Sequence, residues 1–256
     1  MKKNQFRLFR FVVSFFMLML LLVSFTQCKN KETKKSKSSN ISLIKKIPLK
    51  VPEPSGITFN KKENTLLIVS DESSRIYKLQ PNGKIKDSLS VNGLDLEGIA
   101  YINDTSIVTI LERDRAVVIL STTGEELSRF SIDLYGKPNS GLEGVTFNPN
   151  NNHLYVLNEK KPGLLLELQL DGKLINKKEL KFAKDYSGLF FVESENELWI
   201  TSHESKSIYK CSTEGVVISS YSIDVPQVEG IAIDFDLKKI FLVCDKTQSL
   251  FIYSLP

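Results

Sequence analysis

The chain has 256 residues, 41% of them apolar and 25% charged, an ordinary globular composition that can bury a substantial core. Its formal charge of +4 is carried by the amino terminus: beyond residue 40, 25 basic residues face 29 acidic ones, a charge near −4. Nothing in that balance points to nucleic acid as a partner.

The chain opens with Lys2, Lys3, Arg7 and Arg10, followed by an almost purely apolar run from Phe11 to Phe25. A basic start and an apolar stretch are the signature of a secretory signal, so export is expected. The run stops at Phe25-Thr26-Gln27-Cys28, which resembles the lipobox of bacterial lipoproteins, where the cysteine is lipidated. Gln27 is bulkier than the small residue usual before that cysteine, and an uncleaved span over Phe11 to Gln27 is the alternative. Either way residues 1–27 act as signal or anchor, and the protein is expected in the cell envelope, held to a plasma or outer membrane outside the cytoplasm. Residues 28–40 are too polar to fold and read as a solvated tether. If Cys28 carries lipid, Cys211 and Cys244 remain, and they are expected as free thiols on adjacent repeats.

From residue 41 onward one motif recurs. Gly141-Leu142-Glu143-Gly144-Val145 has counterparts at Glu53-Pro54-Ser55-Gly56-Ile57, Asp95-Leu96-Glu97-Gly98-Ile99, Asp185-Tyr186-Ser187-Gly188-Leu189 and Gln227-Val228-Glu229-Gly230-Ile231. The intervals between their glycines are 42, 46, 44 and 42 residues, the size of propeller blades. Each motif leads into an apolar strand, a polar turn and a second strand such as Leu154-Tyr155-Val156-Leu157, whose continuous apolar character suits burial on both faces. A third strand and a glycine turn follow, then a more polar fourth strand fit for an outer edge. The last repeat ends after its third strand at Pro256, and Ile41 to Leu49 aligns with the missing fourth. The expectation is an all-β, five-bladed propeller over residues 41–256, built of four-stranded antiparallel blades and closed by the amino-terminal strand.

In such a ring two sets of side chains converge at one mouth of the central channel. The entering turns supply Ser55, Glu97, Glu143, Ser187 and Glu229; the turns after the second strands supply Asp71, Glu112, Glu159, His203 and Asp245. Glu159 aligns one place out of register with the rest of its set. Crowded carboxylates repel one another and raise each other's pKa unless a cation or hydrogen-bond donors compensate. Oxygen donors of this kind suit calcium better than zinc or copper, since no Cys/His cluster accompanies them. Glu97, Glu143, Glu229, Asp71, Glu112, Glu159 and Asp245 are therefore the expected metal ligands, and His203, Glu204, Ser55 and Ser187 line the expected binding surface. A purely structural use remains open for each glutamate, as an acceptor of backbone N–H groups from the neighbouring blade. His153, in the turn Asn150-Asn151-Asn152-His153 on the opposite face, is expected to be solvated.

The order of Asp95-Leu96-Glu97, Gly141-Leu142-Glu143-Gly144, Asn158-Glu159-Lys160-Lys161-Pro162, Ser202-His203-Glu204-Ser205 and Val228-Glu229-Gly230 resembles the SdiA-regulated, or YjiK/CarP-like, family of exported bacterial β-propellers. The resemblance covers roughly residues 41–256 and implies a membrane-associated propeller connected with calcium, without an assigned reaction. Departures are local: Glu112-Arg113-Asp114 and Cys244-Asp245 stand where the family often has Asp-Glu-Arg and a Ser-Glu pair. The leading expectation is a non-catalytic, calcium-binding propeller presenting a surface to a small molecule or protein at the channel mouth, with a possible part in calcium homeostasis or signalling. The alternative is a calcium-dependent hydrolase of lactonase, esterase or phytase type, with a carboxylate or His203 as general base. A scaffold without metal is the third reading. No Gly-x-Ser-x-Gly elbow supports serine hydrolysis, and basic residues beyond Arg113, Lys160 and Lys161 are scarce where a phosphate clamp would stand.

Overall fold

A computed structural model describes residues 40–134 and 141–256. The expected signal and Cys28, and all of the tether but Asn40, lie outside those residues. Among the described residues no helix is long and apolar enough to cross a membrane.

Twenty strands form five four-stranded antiparallel sheets. Strand β1 (Leu43–Pro48) comes first and belongs to the last blade. Blade 1 holds β2 (Pro54–Asn60), β3 (Thr65–Ser70), β4 (Arg75–Leu79) and β5 (Ile85–Ser90). Blade 2 holds β6 (Leu96–Tyr101), β7 (Ser106–Leu111), β8 (Ala116–Ser121) and β9 (Glu126–Ser131). Blade 3 runs through β10 (Leu142–Asn148), β11 (His153–Asn158), β12 (Leu164–Leu168) and β13 (Leu174–Glu179). Blade 4 runs through β14 (Leu189–Val192), β15 (Glu197–Ser202), β16 (Ser207–Ser212) and β17 (Val217–Ser222). Blade 5 has β18 (Val228–Asp234), β19 (Lys239–Cys244) and β20 (Ser249–Ser254), and β1 supplies its outer edge, pairing Ile47 with Leu250 and Lys46 with Phe251.

The second strands explain why the blades stack. Along β7 the side chains alternate: Ile107 and Leu111 enter the apolar cluster shared with blade 1, while Val108 and Ile110 enter the one shared with blade 3. In β11, Leu154 and Val156 face blade 2 and Tyr155 and Leu157 face blade 4. A two-faced apolar strand therefore needs a neighbour on each side, and a ring supplies it. The five clusters occupy the five inter-blade interfaces, the last joining blade 5 to blade 1 through Phe241, Val243, Ile57 and Leu66. Cys211 and Cys244 are free and buried, as expected, and burial pushes the Cys211 thiol up to about 12.

The motif glycines hold the ring at its axis. A Cβ on Gly56 would stand 2.1 Å from Glu97 O, one on Gly98 2.6 Å from Val145 N, and one on Gly144 2.7 Å from Ser187 O. On Gly188 it would meet Ile231 N at 2.8 Å, and on Gly230 it would meet Ser55 O at 2.6 Å. Each glycine thus lies against the backbone of the next motif, and the fifth returns to the first. These contacts are the reason that the motif recurs.

Candidate functional site

The entering turns are shaped before the side chains are placed. Glu53, Asp95 and Gln227 sit at φ of 36°, 57° and 53°, the left-handed region, and turn the chain into β2, β6 and β18. A β-bulge follows in blades 1, 2, 3 and 5, between Pro54 and Ile57, Leu96 and Ile99, Leu142 and Gly144, and Val228 and Gly230. The residue in the bulge is Ser55, Glu97, Glu143 or Glu229. Bulges free a residue from the ladder and re-aim its side chain, here into the channel mouth. The second set is tied to the first through the backbone: the N–H groups of Asp71, Glu112 and Glu159 donate to the carbonyls of Glu53, Asp95 and Gly141 at 3.0–3.1 Å. Glu159 therefore follows β11 as Asp71 follows β3, in register; the extra residue falls later in its turn, which corrects the offset expected from the sequence.

The result is a cleft of about 260 Å³ lined by Glu53, Asp71, Glu97, Glu143, Glu159, Asp185, Glu229 and Asp245, with Ser55, Ser187, His203 and Gln227 between them. Eight carboxylates and one histidine face it, and no lysine or arginine does. Glu112 stands outside this lining, and its Oε1 accepts the N–H of Gly141 at 3.1 Å. Glu204 is exposed and meets Lys160 at 3.2 Å, while its own N–H donates to Asp185 at 3.0 Å. Ser187 lines the cleft but is committed to the seam, donating to Val228 O at 2.8 Å and lying 2.9 Å from Thr201 Oγ1. At the rim Lys160 also meets Glu159 at 2.6 Å, and Arg113 pairs with Asp95.

Glu53, Asp185 and Gln227 were not foreseen as lining. All stand two places before the Ser or Glu that precedes the motif glycine, so aligning that column would have shown oxygen donors in four blades of five. His153 departs from expectation. It opens β11 half-buried, with Nδ1 2.8 Å from Glu167 Oε1, because Glu167 faces Tyr155 across the ladder and gathers the donors around it.

Burial and then crowding raise the carboxyls of the mouth. Burial, then Glu97 and Glu229, hold the Glu143 carboxyl well above its ordinary range. Burial, then Asp71 and Glu229, do the same to Glu97, against a hydrogen bond from Ser55. Burial, then Asp245, push Glu229 up to about 8, and burial with Asp95 pushes Asp71 up to about 6. In the unfolded chain carboxylates titrate near 4, so the folded state binds protons more tightly than the unfolded. The linked stabilisation is complete below about pH 4 and is lost as pH rises through about 6 for Asp71 and about 8 for Glu229. In chelator, the melting temperature should therefore fall between pH 5 and 9, and Glu229→Gln should flatten that decline. Thermal melts across the range check it; a flat wild-type profile would count against the crowding.

All of these are hard oxygen donors, and Asp71 Oδ1 is buried with no hydrogen-bond partner. The donor set fits calcium in its chemistry. As the side chains stand, no three acidic, histidine or cysteine groups among the described residues converge on one point that could hold an ion.

Fold and mouth together define a five-bladed propeller with a carboxylate-lined channel. The chain belongs to the SdiA-regulated family, whose pattern it matches over residues 35–252. Among solved structures it is similar to the glutaminyl cyclase of Myxococcus xanthus, with a TM-score of 0.68 and 12% identity over 83% of this chain and 95% of that one. A luciferin-regenerating enzyme gives 0.53 and 15%, over 83% and 94%. The virginiamycin B lyase of Staphylococcus aureus gives 0.51 and 16%, over 79% and 66%. At these identities the likeness is one of fold.

Proposed function

We propose that this protein is a membrane-anchored, extracytoplasmic propeller that binds calcium at its acidic channel mouth and presents that mouth to a ligand or partner, without catalysing a reaction of its own. The observation that carries the reading is the set of eight carboxylates around one cleft with no lysine or arginine on its lining. Glu97, Glu143 and Glu229, from three blades, would hold the ion, with Asp71, Glu159 and Asp245 around them. Small side-chain rotations and water would complete the shell, as calcium accepts six to eight oxygens in flexible geometry. Glu112 and Glu204 are better used as a backbone acceptor and a partner of Lys160.

Calcium at about a hundred times its Kd would add about 2.7 kcal/mol by mass action. For a domain of this size that is a rise of roughly 5–11 °C in melting temperature. Glu143→Gln should lose most of the rise, and Ser187→Ala should keep it. Equal melting in calcium and in chelator would defeat the reading and leave a scaffold. A calcium-dependent hydrolase is the second reading, favoured by His203 on the cleft lining; turnover of a lactone, an ester or phytate, lost in His203→Gln, would establish it.

The anchor rests on residues 1–28. Cys28→Ser should abolish incorporation of labelled fatty acid, and a wild-type protein that takes up none would favour the uncleaved span.

A further inference from the structure

The acidic mouth lies on the face that carries the entering turns, and the opposite face carries the turns between first and second strands. Four of those opposite turns are polar at their tips: Lys61 to Asn64, Asn103 to Thr105, Asn150 to Asn152 and Glu193 to Asn196. The fifth, in blade 5, is Phe235-Asp236-Leu237-Lys238, with Phe235 40% and Leu237 58% exposed. Blade 5 is also where the chain enters the propeller. Because β1 is the outer strand of that blade and pairs antiparallel with β20, its first residues lie on the same face as the apolar turn. The join is direct: Leu255 N–H donates to Lys238 O at 2.8 Å, and Ser254 N–H donates to Ser42 O at 2.9 Å. Leu43 and Ile44, the next two residues, are 51% and 55% exposed. The other exposed large apolar side chains among the described residues belong to other blades: they stand on the outer strands β9, β13 and β17, at Val216 in the turn before β17, and at Leu94 beyond β5 in the approach to the next entering turn.

We propose that this corner of blade 5 rests on the phospholipid surface to which the chain is anchored, with Phe235 and Leu237 inserted among the headgroups and the acidic mouth turned away from the bilayer. The proposal rests on the anchoring reading above. The twelve residue-to-residue steps from Cys28 to Asn40 span at most about 40–43 Å, so an anchor alone would let the propeller adopt any orientation within that reach. A lipidated cysteine or a span fixes attachment but not orientation, and an apolar turn beside the chain entry supplies the contact that would fix it. Phe235 also rims a cleft of about 350 Å³ whose walls include Phe59, Phe190, Phe191 and Ile233, with Lys61, Glu193, Asp234 and Asp236 at its polar edge, where Lys61 pairs with Asp236 of the turn.

The test uses the full chain in vesicles of phosphatidylethanolamine and phosphatidylglycerol, with and without brominated phosphatidylcholine. Trp199 is the single native tryptophan and is 1% exposed, so it forms an unquenched background. Phe235→Trp and Leu237→Trp should each lose their added fluorescence to brominated lipid, and Leu94→Trp should keep it. Co-sedimentation with vesicles but no quenching at either position would overturn the docking and spare the anchor. Failure to co-sediment would overturn both. A blue shift of the added tryptophan without lipid, together with a dimer in light scattering, would instead assign the corner to a second copy of this chain.

Discussion

Removal of residues 41–49 should leave no folded propeller. That segment contains β1, whose loss strips the outer edge from blade 5 and exposes β20, a strand of five buried residues out of six. It also removes Ile47 and Leu49 from the cluster that joins blade 5 to blade 1. Those two side chains alone contribute about 3–6 kcal/mol through burial. Net stabilities of single domains are about 5–15 kcal/mol, so a large share of the margin goes before the lost ladder is considered. An unpaired apolar edge also invites pairing between chains, so the truncated protein should aggregate. Deletion of 29–39, which is polar throughout, should leave the melting temperature unchanged. Equal melting of the two truncations would contradict closure by the first strand.

Among the described glycines, Gly56 is where an added methyl group would come nearest to a backbone atom, and Gly56→Ala should be strongly destabilising. Its Cβ would stand 2.1 Å from Glu97 O and 2.9 Å from Gly98 Cα, both backbone atoms that no rotamer change can move. Overpacking in a tight interior costs about 1–3 kcal/mol and more where backbone must shift. At about 3 kcal/mol or more, as backbone must shift, the expected fall in melting temperature is roughly 6–12 °C or more. Because Glu97 is carried by that backbone, calcium affinity should fall with it. Gly124→Ala is the comparison: its Cβ meets only Leu89 side-chain atoms at 3.6 Å and beyond, and its cost comes from a φ of +96°. A Gly56→Ala protein that melts with wild type would mean that blades 1 and 2 do not approach as closely as described.

These glycines also explain how much could be read from the sequence. A seam that tolerates no side chain requires glycine in every repeat, so the five motifs, their spacing and the closing strand were legible. The two-faced second strands were legible for the same reason, since burial on both sides leaves no room for polar residues. Side-chain partners across blades were not. Glu112 sits in the acidic column of its repeat, yet it accepts the N–H of Gly141, which is 29 residues away in a different blade. His153 stands in an asparagine-rich turn, and its partner Glu167 lies across a ladder. Asp185 stands in a repeat with serine, not glutamate, before the motif glycine, so its carboxylate falls outside the acidic column; it accepts from Ser202 and from the N–H of Glu204 while lining the cleft. Repeat position gives the face on which a residue stands, and folding decides what it meets there.

The central claim, that the crowded mouth binds calcium, is tested most directly by calorimetric titration of calcium near neutral pH in two buffers of different ionisation enthalpy. Burial and then one another hold these carboxyls above their ordinary range, so ligation should release protons, and the two buffers should give different heats. The expected affinity lies at or tighter than about millimolar, the range of extracellular calcium modules. Glu143→Gln should weaken it by about tenfold or more, equivalent to about 1.4 kcal/mol. No heat at about millimolar calcium, or unchanged binding by Glu143→Gln, would contradict the claim and return the glutamates to a structural role.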